Sequence, residues 1–168
     1  HPISEVNVGG GLGVPHDMGQ EPLDVDAYAD VLRRHLAPLD VTVACEPGDF
    51  LTKDMGVLLA EVVSVDDRDG YRFVGVDAGF NVAPEHFIYE EPVPIVLSRS
   101  VDGPRGRPVT VTGNINEGDD VWGEDVALPE PHEGDVLALL RMGSYNRSMH
   151  IDHCLRPPAG TVAFADRR

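Results

Sequence analysis

Apolar and polar positions in the first 49 residues change from an alternating pattern to a helical one and back. Alternation from Ser4 to Val8 predicts a strand that ends in a glycine loop. Asp24 suits a helix N-cap, and the apolar side chains that follow recur at three-and-four spacing as far as Leu36. A short apolar run from residue 41 to 45 predicts a second strand, which stops at the turn sequence EPG. Strand, helix and strand with short connections form a βαβ unit, so we expect parallel strands.

From about residue 56 onward, apolar runs of strand length follow one another without intervening helices. Turn residues such as Asp69-Gly70 separate these runs, which favours an antiparallel barrel or sandwich over further βαβ units. We therefore expect this part of the chain to be mainly β. The predicted strands are Val57 to Val65, Tyr71 to Asp77, Pro94 to Ser98, Val109 to Gly113, Val136 to Leu140 and Thr161 to Phe164.

Charge and composition exclude several classes of partner. With 29 acidic and 13 basic residues the formal net charge is −16, which argues against nucleic acid because its binding depends on Lys and Arg. No apolar run approaches the roughly 20 residues that span a bilayer, and no signal-peptide pattern is present, so we expect a cytoplasmic protein. Two distant cysteines do not indicate a disulfide framework. Because the chain starts with His1, we expect it to be processed or truncated.

Residues that suit ligand binding follow two of the predicted strands. Three glycines after the first strand allow backbone N–H groups to approach a phosphate, although the same glycines serve a tight turn without any ligand. Glu46 follows the next strand. Because the carboxyl ends of parallel strands face the same side, its carboxylate is expected beside the glycine loop, unless it is only a surface turn residue.

Two polar, glycine-rich loops interrupt the β half. They are GNINEGDD at residues 113–120 and GSYN at 143–146, and both look functional, although ordinary hairpins use the same residue types. His150, His153 and Cys154 form the only cluster of metal-ligand types. A fourth ligand at suitable spacing is missing, so we predict no metal site there.

Five sequence strings, taken in order, resemble the motifs of fold-type III pyridoxal-phosphate-dependent decarboxylases, the group that acts on diaminopimelate, ornithine and arginine. The resemblance implies a TIM-barrel domain that carries the cofactor, a C-terminal β domain, and a homodimer with active sites at the subunit interface. Residues 1–49 then correspond to the last part of the TIM barrel and residues 50–168 to the β domain, with an N-terminal barrel segment supplied elsewhere. The strings are NVGGGLG, EPGDFL, FVGVDAGFN, GNINEGDD and MGSYN, from about Val6 to Pro157.

The resemblance assigns cofactor-binding roles to residues from both predicted domains. Gly9, Gly10 and Gly11 match the glycines that bind the phosphate of pyridoxal 5'-phosphate, and Tyr145 matches a tyrosine near that phosphate. Glu46 matches the acid that contacts the pyridine nitrogen. A carboxylate at this place keeps the ring protonated, so that it can absorb the electrons left when CO₂ departs.

A second set of catalytic residues is implied for the loop after the strand at residues 109–113. Asn116 and Glu117 match the loop that reaches across the dimer, where the acidic residue faces the distal end of the amino acid substrate. Many members of the family have a cysteine in place of Asn116 that protonates the product. An amide cannot act as an acid near neutral pH, so another proton donor or water is required.

Further departures from the family pattern concern the cofactor-binding lysine and two arginine positions. The lysine that binds the cofactor lies upstream of the glycine motif in the family, and Lys53, the only lysine here, matches no family lysine. Asp49 stands where the family has an arginine that contacts the phosphate. Glu85 lies near the place of the arginine that diaminopimelate decarboxylases use for the far carboxylate, which argues against diaminopimelate as the substrate.

Three functions are compatible with the motifs. The leading one is decarboxylation of an amino acid, with this chain supplying part of the active site. A non-catalytic relative that serves as a binding or regulatory protein is the second, and Asp49 and Asn116 favour it. The third, alanine-racemase-like chemistry, shares the barrel but fits the motifs of the β domain poorly.

Overall fold

The computed structural model describes residues 2–17 and 19–165; His1 and the last three residues of the predicted β domain lie outside this part. The described elements, in chain order, are β1 (Glu5–Asn7), α1 (Val25–Leu36), β2 (Thr42–Ala44), α2 (Asp49–Thr52), β3 (Val57–Arg68), β4 (Tyr71–Val76), α3 (Glu85–Tyr89), β5 (Ile95–Leu97), β6 (Val109–Thr112), β7 (Val121–Val126), β8 (Val136–Leu140) and α4 (Asn146–Met149).

The N-terminal part contains the predicted βαβ unit. Strands β1 and β2 pair in parallel, with Glu5 opposite Thr42. Asp24 caps α1, because its side chain accepts a 2.9 Å hydrogen bond from the backbone N–H of Ala27. An acidic first turn and a basic last turn complement the helix dipole, and a short 3₁₀ turn, Ala37–Leu39, ends the helix. The predicted parallel strand, helix and strand arrangement is confirmed.

The remaining strands form one six-stranded sheet in the order β5-β8-β3-β4-β6-β7. All neighbouring pairs are antiparallel except β4 and β6, which are parallel. The two edge strands approach each other, since a Cβ atom built on Gly123 would lie 3.6 Å from the Cδ1 atom of Ile95. The sheet is therefore strongly curled, and the predicted mainly β fold is confirmed.

One strand prediction for the β part was wrong, and one strand was not predicted. Residues 161–164 are not in a strand; their apolar side chains are exposed and find no neighbouring strand, with Phe164 94% exposed. Strand β7 was missed because glycine and acidic residues interrupt its apolar run at residues 123–125. An alternating pattern identifies a strand only where a partner strand is available.

The hydrophobic core lies on one face of the six-stranded sheet. Alternate residues of the strands point into it, as the period of two requires. Trp122 is its largest fully buried side chain, and its indole N–H donates a 2.8 Å hydrogen bond to the carbonyl of Ala78. The other core residues include Ala60, Val62, Val74, Val76, Ile95, Leu97, Val109, Val111, Leu128, Leu137 and Leu139.

Both cysteines, Cys45 and Cys154, are free and exposed. Among the described residues, no helix combines the length and the apolar character needed to cross a membrane.

Candidate functional site

The glycine loop folds back onto the end of β2. Gly9 and Gly11 both have φ of +74°, a left-handed conformation that side chains rarely adopt. A Cβ atom on Gly10 would overlap the carbonyl oxygen of Glu46. The backbone N–H of Glu46 in turn donates a 2.7 Å hydrogen bond to the carbonyl of Gly9. The loop therefore requires glycine at all three positions, two for their backbone conformation and one for the close approach.

Asn7 joins the glycine loop to the carboxylate of Glu46. Its side-chain amide donates a 2.7 Å hydrogen bond to Oε1 of Glu46, and its Oδ1 accepts a 2.8 Å bond from the N–H of Gly9. Sequence reasoning missed this residue. Its position directly before the glycine run, at the end of a strand, was the available signal.

Tyr145 reaches the same place from the far end of the chain. A Cβ atom on Gly48 would overlap the hydroxyl of Tyr145, so this phenol lies directly against the EPG turn. Tyr145 is 51% exposed and has a left-handed φ of +52°. The structure thus brings the glycine loop, Glu46 and Tyr145 close to one another at the EPG turn.

The side chains of Asp49 and Lys53 are occupied by other groups. Asp49 accepts a hydrogen bond from the hydroxyl of Ser144. The amine of Lys53 lies 3.2 Å from Oε1 of Glu85 and 2.5 Å from Oε2 of Glu91. Burial lowers the pKa of Lys53, but the bonds and charges of these carboxylates outweigh it and leave the pKa above its ordinary value. The amine is charged and enclosed, which suits an ion pair and not a covalent bond to an aldehyde.

The loop between β6 and β7 is held by a buried carboxylate. Asp120, 3% exposed, accepts bonds of 2.8 Å and 2.6 Å from the N–H groups of Phe80 and Ile115. Burial raises the pKa of Asp120, and these two hydrogen bonds oppose that shift. The loop is therefore fixed at its base, while Asn116 and Glu117 at its tip are exposed.

A C-terminal segment docks on this tip. The thiol of Cys154 donates a 3.1 Å bond to Oδ1 of Asn116, and Nε2 of His153 lies 3.2 Å from Oε1 of Glu117. Among the described residues, no group of three or more His, Cys, Asp or Glu side chains is arranged to hold a metal ion. Two of the three residues His150, His153 and Cys154 thus contact the Asn116–Glu117 loop instead.

A cleft of about 1010 Å³ borders this loop. Aromatic side chains, including Phe87 and Trp122, and carboxylates, including Glu91 and Glu117, line it. The glycine loop, Glu46 and Tyr145 do not line it. Within the part of the chain that the structure describes, no hydrogen bond or ion pair joins residues 116–117 to the glycine loop, so the predicted site residues form two separate groups.

Comparison with known proteins relates both groups to one family. The profile described as "Pyridoxal-dependent decarboxylase, C-terminal sheet domain" matches residues 50–143. The chain is 35% identical to diaminopimelate decarboxylase of Methanothermobacter thermautotrophicus over 166 residues, covering 94% of this chain and 38% of the relative. For the Escherichia coli diaminopimelate decarboxylase the identity is 33%, and the coverage 96% and 43%.

A solved structure gives the same result. Diaminopimelate decarboxylase from Helicobacter pylori, complexed with L-lysine, superimposes with a TM-score of 0.83 at 31% identity, covering 92% of this chain and 38% of that one. The chain spans about two fifths of the length of the relatives that it matches. It belongs to the pyridoxal-dependent decarboxylases and contains their C-terminal sheet domain.

Proposed function

We propose that this chain is part of an enzyme that decarboxylates an amino acid with pyridoxal 5'-phosphate. Residues 1–49 form the terminal portion of the cofactor-binding TIM barrel and residues 50–168 the β domain. The lysine that binds the cofactor covalently lies in a barrel segment outside this sequence. The diaminopimelate decarboxylases that the chain resembles support this assignment, since the similarity covers both parts.

One observation carries the proposal: the side chain of Asn7 forms hydrogen bonds with both the glycine loop and the carboxylate of Glu46. A phosphate needs several N–H donors that no Cβ obstructs, and a pyridine nitrogen needs an oriented carboxylate. The N–H groups of Gly10 and Gly11 offer the first and Glu46 the second, while the hydroxyl of Tyr145 adds a further donor nearby. The residues present fit the cofactor.

Each group then has a distinct task. The N–H of Gly9 is already bonded to Asn7, so the N–H groups of Gly10 and Gly11, together with Tyr145, hold the phosphate and fix the position of the ring. Asn7 occupies Oε1 of Glu46, and no other hydrogen bond to this side chain is found among the described residues, which leaves Oε2 for the ring N–H. When bound, the cofactor supplies a protonated ring that takes up the electron pair released as CO₂ leaves.

The Asn116–Glu117 loop is proposed to complete the site of the partner subunit in a homodimer. Its separation from the glycine loop supports this arrangement, because the two groups share no bond among the described residues. Glu117, held by His153, faces the distal end of the amino acid. Asp120 holds the base of the loop through its hydrogen bonds to the N–H groups of Phe80 and Ile115.

The identity of the amino acid is constrained by charge. Glu85 is buried, accepts a 3.1 Å bond from the side-chain amide of Asn146, and pairs with Lys53. Because carboxylates already neutralise the charge of Lys53, this lysine is not available to bind a distal carboxylate. We therefore propose an amino acid other than diaminopimelate.

A non-catalytic, decarboxylase-like binding or regulatory protein is the second candidate. The specific observation in its favour is that Asp49, which stands where the family has a phosphate-contacting arginine, bonds Ser144. Stoichiometric release of CO₂ from an amino acid by the full-length protein with cofactor would exclude this candidate.

The role of Glu46 can be tested with Glu46→Gln in the full-length protein, which preserves shape and removes the charge. We expect kcat to fall about 100-fold, or about 2.7 kcal/mol, with cofactor content retained because the glycine loop still holds the phosphate. The nitrogen-15 resonance of labelled cofactor should move to the position of an unprotonated ring. The exposed Glu21→Gln, in the same part of the chain, is the matched control; unchanged turnover and resonance in Glu46→Gln would exclude the role.

A further inference from the structure

The only lysine of the chain is buried at the junction between the EPG turn and the β domain. Lys53 is 6% exposed, and three carboxylates surround its amine. Asp49, 3.7 Å away, lies one helical turn before Lys53, whereas Glu85 and Glu91 lie at the beginning and just beyond the end of α3. One cation thus holds together segments that would otherwise repel one another, since Asp49, Glu85 and Glu91 are all acidic.

Two of these carboxylates lead to the residues on either side of Tyr145. Asp49 accepts a hydrogen bond from Ser144. Glu85 is bonded twice to Asn146: its Oε2 accepts a 3.1 Å bond from the Asn146 amide, and its backbone N–H donates a 3.3 Å bond to the Asn146 Oδ1. Ser144 and Asn146 are both 4% exposed. Lys53 is therefore the hub of two tethers that end on the two neighbours of Tyr145.

Tyr145 depends on its neighbours for its position. Half of its side chain is exposed, so packing around the ring does not fix it. Its backbone has a left-handed φ of +52°, a conformation that a non-glycine residue keeps only where its surroundings determine it. The two tethers are such surroundings, and they direct the hydroxyl against Gly48.

We propose that Lys53 is a positioning residue: through Asp49–Ser144 and Glu85–Asn146 it holds Tyr145 at the glycine loop and EPG turn, ready to bind the cofactor phosphate. The cofactor part of this proposal rests on the function proposed above, whereas the tether itself does not. Without the lysine, the carboxylates repel one another and the backbone at residues 144–146 is released.

Hydrogen exchange of the cofactor-free, full-length protein tests the tether directly. In Lys53→Met we expect the amides of residues 144–149 to exchange about tenfold faster, whereas those of β6 and β7 are unchanged, because the loss is local. Arg99→Met, which removes the ion pair with Asp135 elsewhere in the β domain, is the matched control and should leave residues 144–149 unchanged. Unchanged or uniformly faster exchange in Lys53→Met would overturn the tether.

Two further variants keep the test decisive. Ser144→Ala removes one tether without altering any charge, so it should accelerate exchange at residues 144–149 even if Lys53→Met fails to fold. Combining Lys53→Met with Glu85→Gln removes the cation and one of its acids together, and should also release the segment because the Asn146 tether then has no anchor on Lys53. Normal protection in both variants would overturn the proposal.

Measurements of cofactor affinity test whether the tether also acts on the proposed cofactor site. Lys53→Met should weaken binding of pyridoxal 5'-phosphate about tenfold, but should have little further effect when Tyr145→Phe is already present, since contacts in one network are not additive. Additive losses would overturn the link between Lys53 and Tyr145. Faster local exchange with unchanged affinity in both variants would overturn the phosphate role of Tyr145 and leave the tether standing.

Discussion

The N-terminal part of the chain and the six-stranded sheet differ in how they use apolar side chains. Every core residue of the described part lies between Ala60 and Leu139, whereas before Val57 the only buried residue described is Lys53. Helix α1 has no buried residue, and Val31 on it is 51% exposed. Periodicity therefore predicts helices and strands in both parts. Their apolar side chains are buried only where another part of the chain packs against them.

Truncating one apolar side chain in each part should change the free energy of unfolding by very different amounts. Leu137→Ala, in the core of β8, should destabilise the protein by about 2–5 kcal/mol because it leaves a cavity. Val31→Ala should cost less than about 0.5 kcal/mol in this 168-residue chain, since the side chain is half exposed. Unfolding by urea, followed by circular dichroism, measures both.

The same Val31→Ala variant also tests the proposed barrel. In the full-length protein the remaining barrel should cover α1, so the cost should rise to about 1–3 kcal/mol. An equally small cost in both chains would show that nothing packs on this face of the helix.

Local rules explain which features were predictable from the sequence. The N-cap at Asp24 and the glycine loop follow from residues close to one another along the chain, and the parallel pairing of β1 and β2 follows from the strand, helix and strand order. The five correctly predicted strands of the sheet follow from apolar runs of strand length that turn residues separate, whereas the parallel pairing of β4 with β6 does not follow from the sequence. Alternation reports which face is apolar and contains no information on the neighbouring strand.

The candidate site shows the same division. The proximity of the glycine loop and Glu46 could be predicted because both follow the ends of neighbouring parallel strands. The contacts of Asp120 and Lys53 could not, because most of their partners are 32 or more residues away, as for Lys53 with Glu85 and Asp120 with Phe80. Long-range hydrogen bonds depend on the tertiary fold.

A smaller effect is expected from a histidine at the edge of the core. His86 stacks on Trp122 and its Nδ1 bonds the carbonyl of Glu91 at 2.8 Å. Burial lowers the pKa of His86, although Glu91 and Asp120 oppose the shift. Because the unfolded state then binds the proton more readily, stability should fall as the pH drops below about 6.5, by less than about 1.4 kcal/mol per pH unit.

Chemical denaturation between pH 7 and pH 5 checks this dependence. In His86→Phe the contribution should vanish, and the curve should be flatter than that of the wild type. His35→Gln, on the exposed helix α1, is the control and should retain the full slope. A slope that survives in His86→Phe would assign the acid sensitivity to other groups.

The central claim is that Glu46 and Glu117 belong to one active site contributed by two subunits. Full-length Glu46→Ala and Glu117→Ala should each be inactive as homodimers. When equal amounts are mixed and exchanged, about half of the dimers are hybrids with one intact site of two, so activity should recover to roughly a quarter of the wild type. A mixture that remains as inactive as its parents, despite demonstrated subunit exchange, would contradict the account.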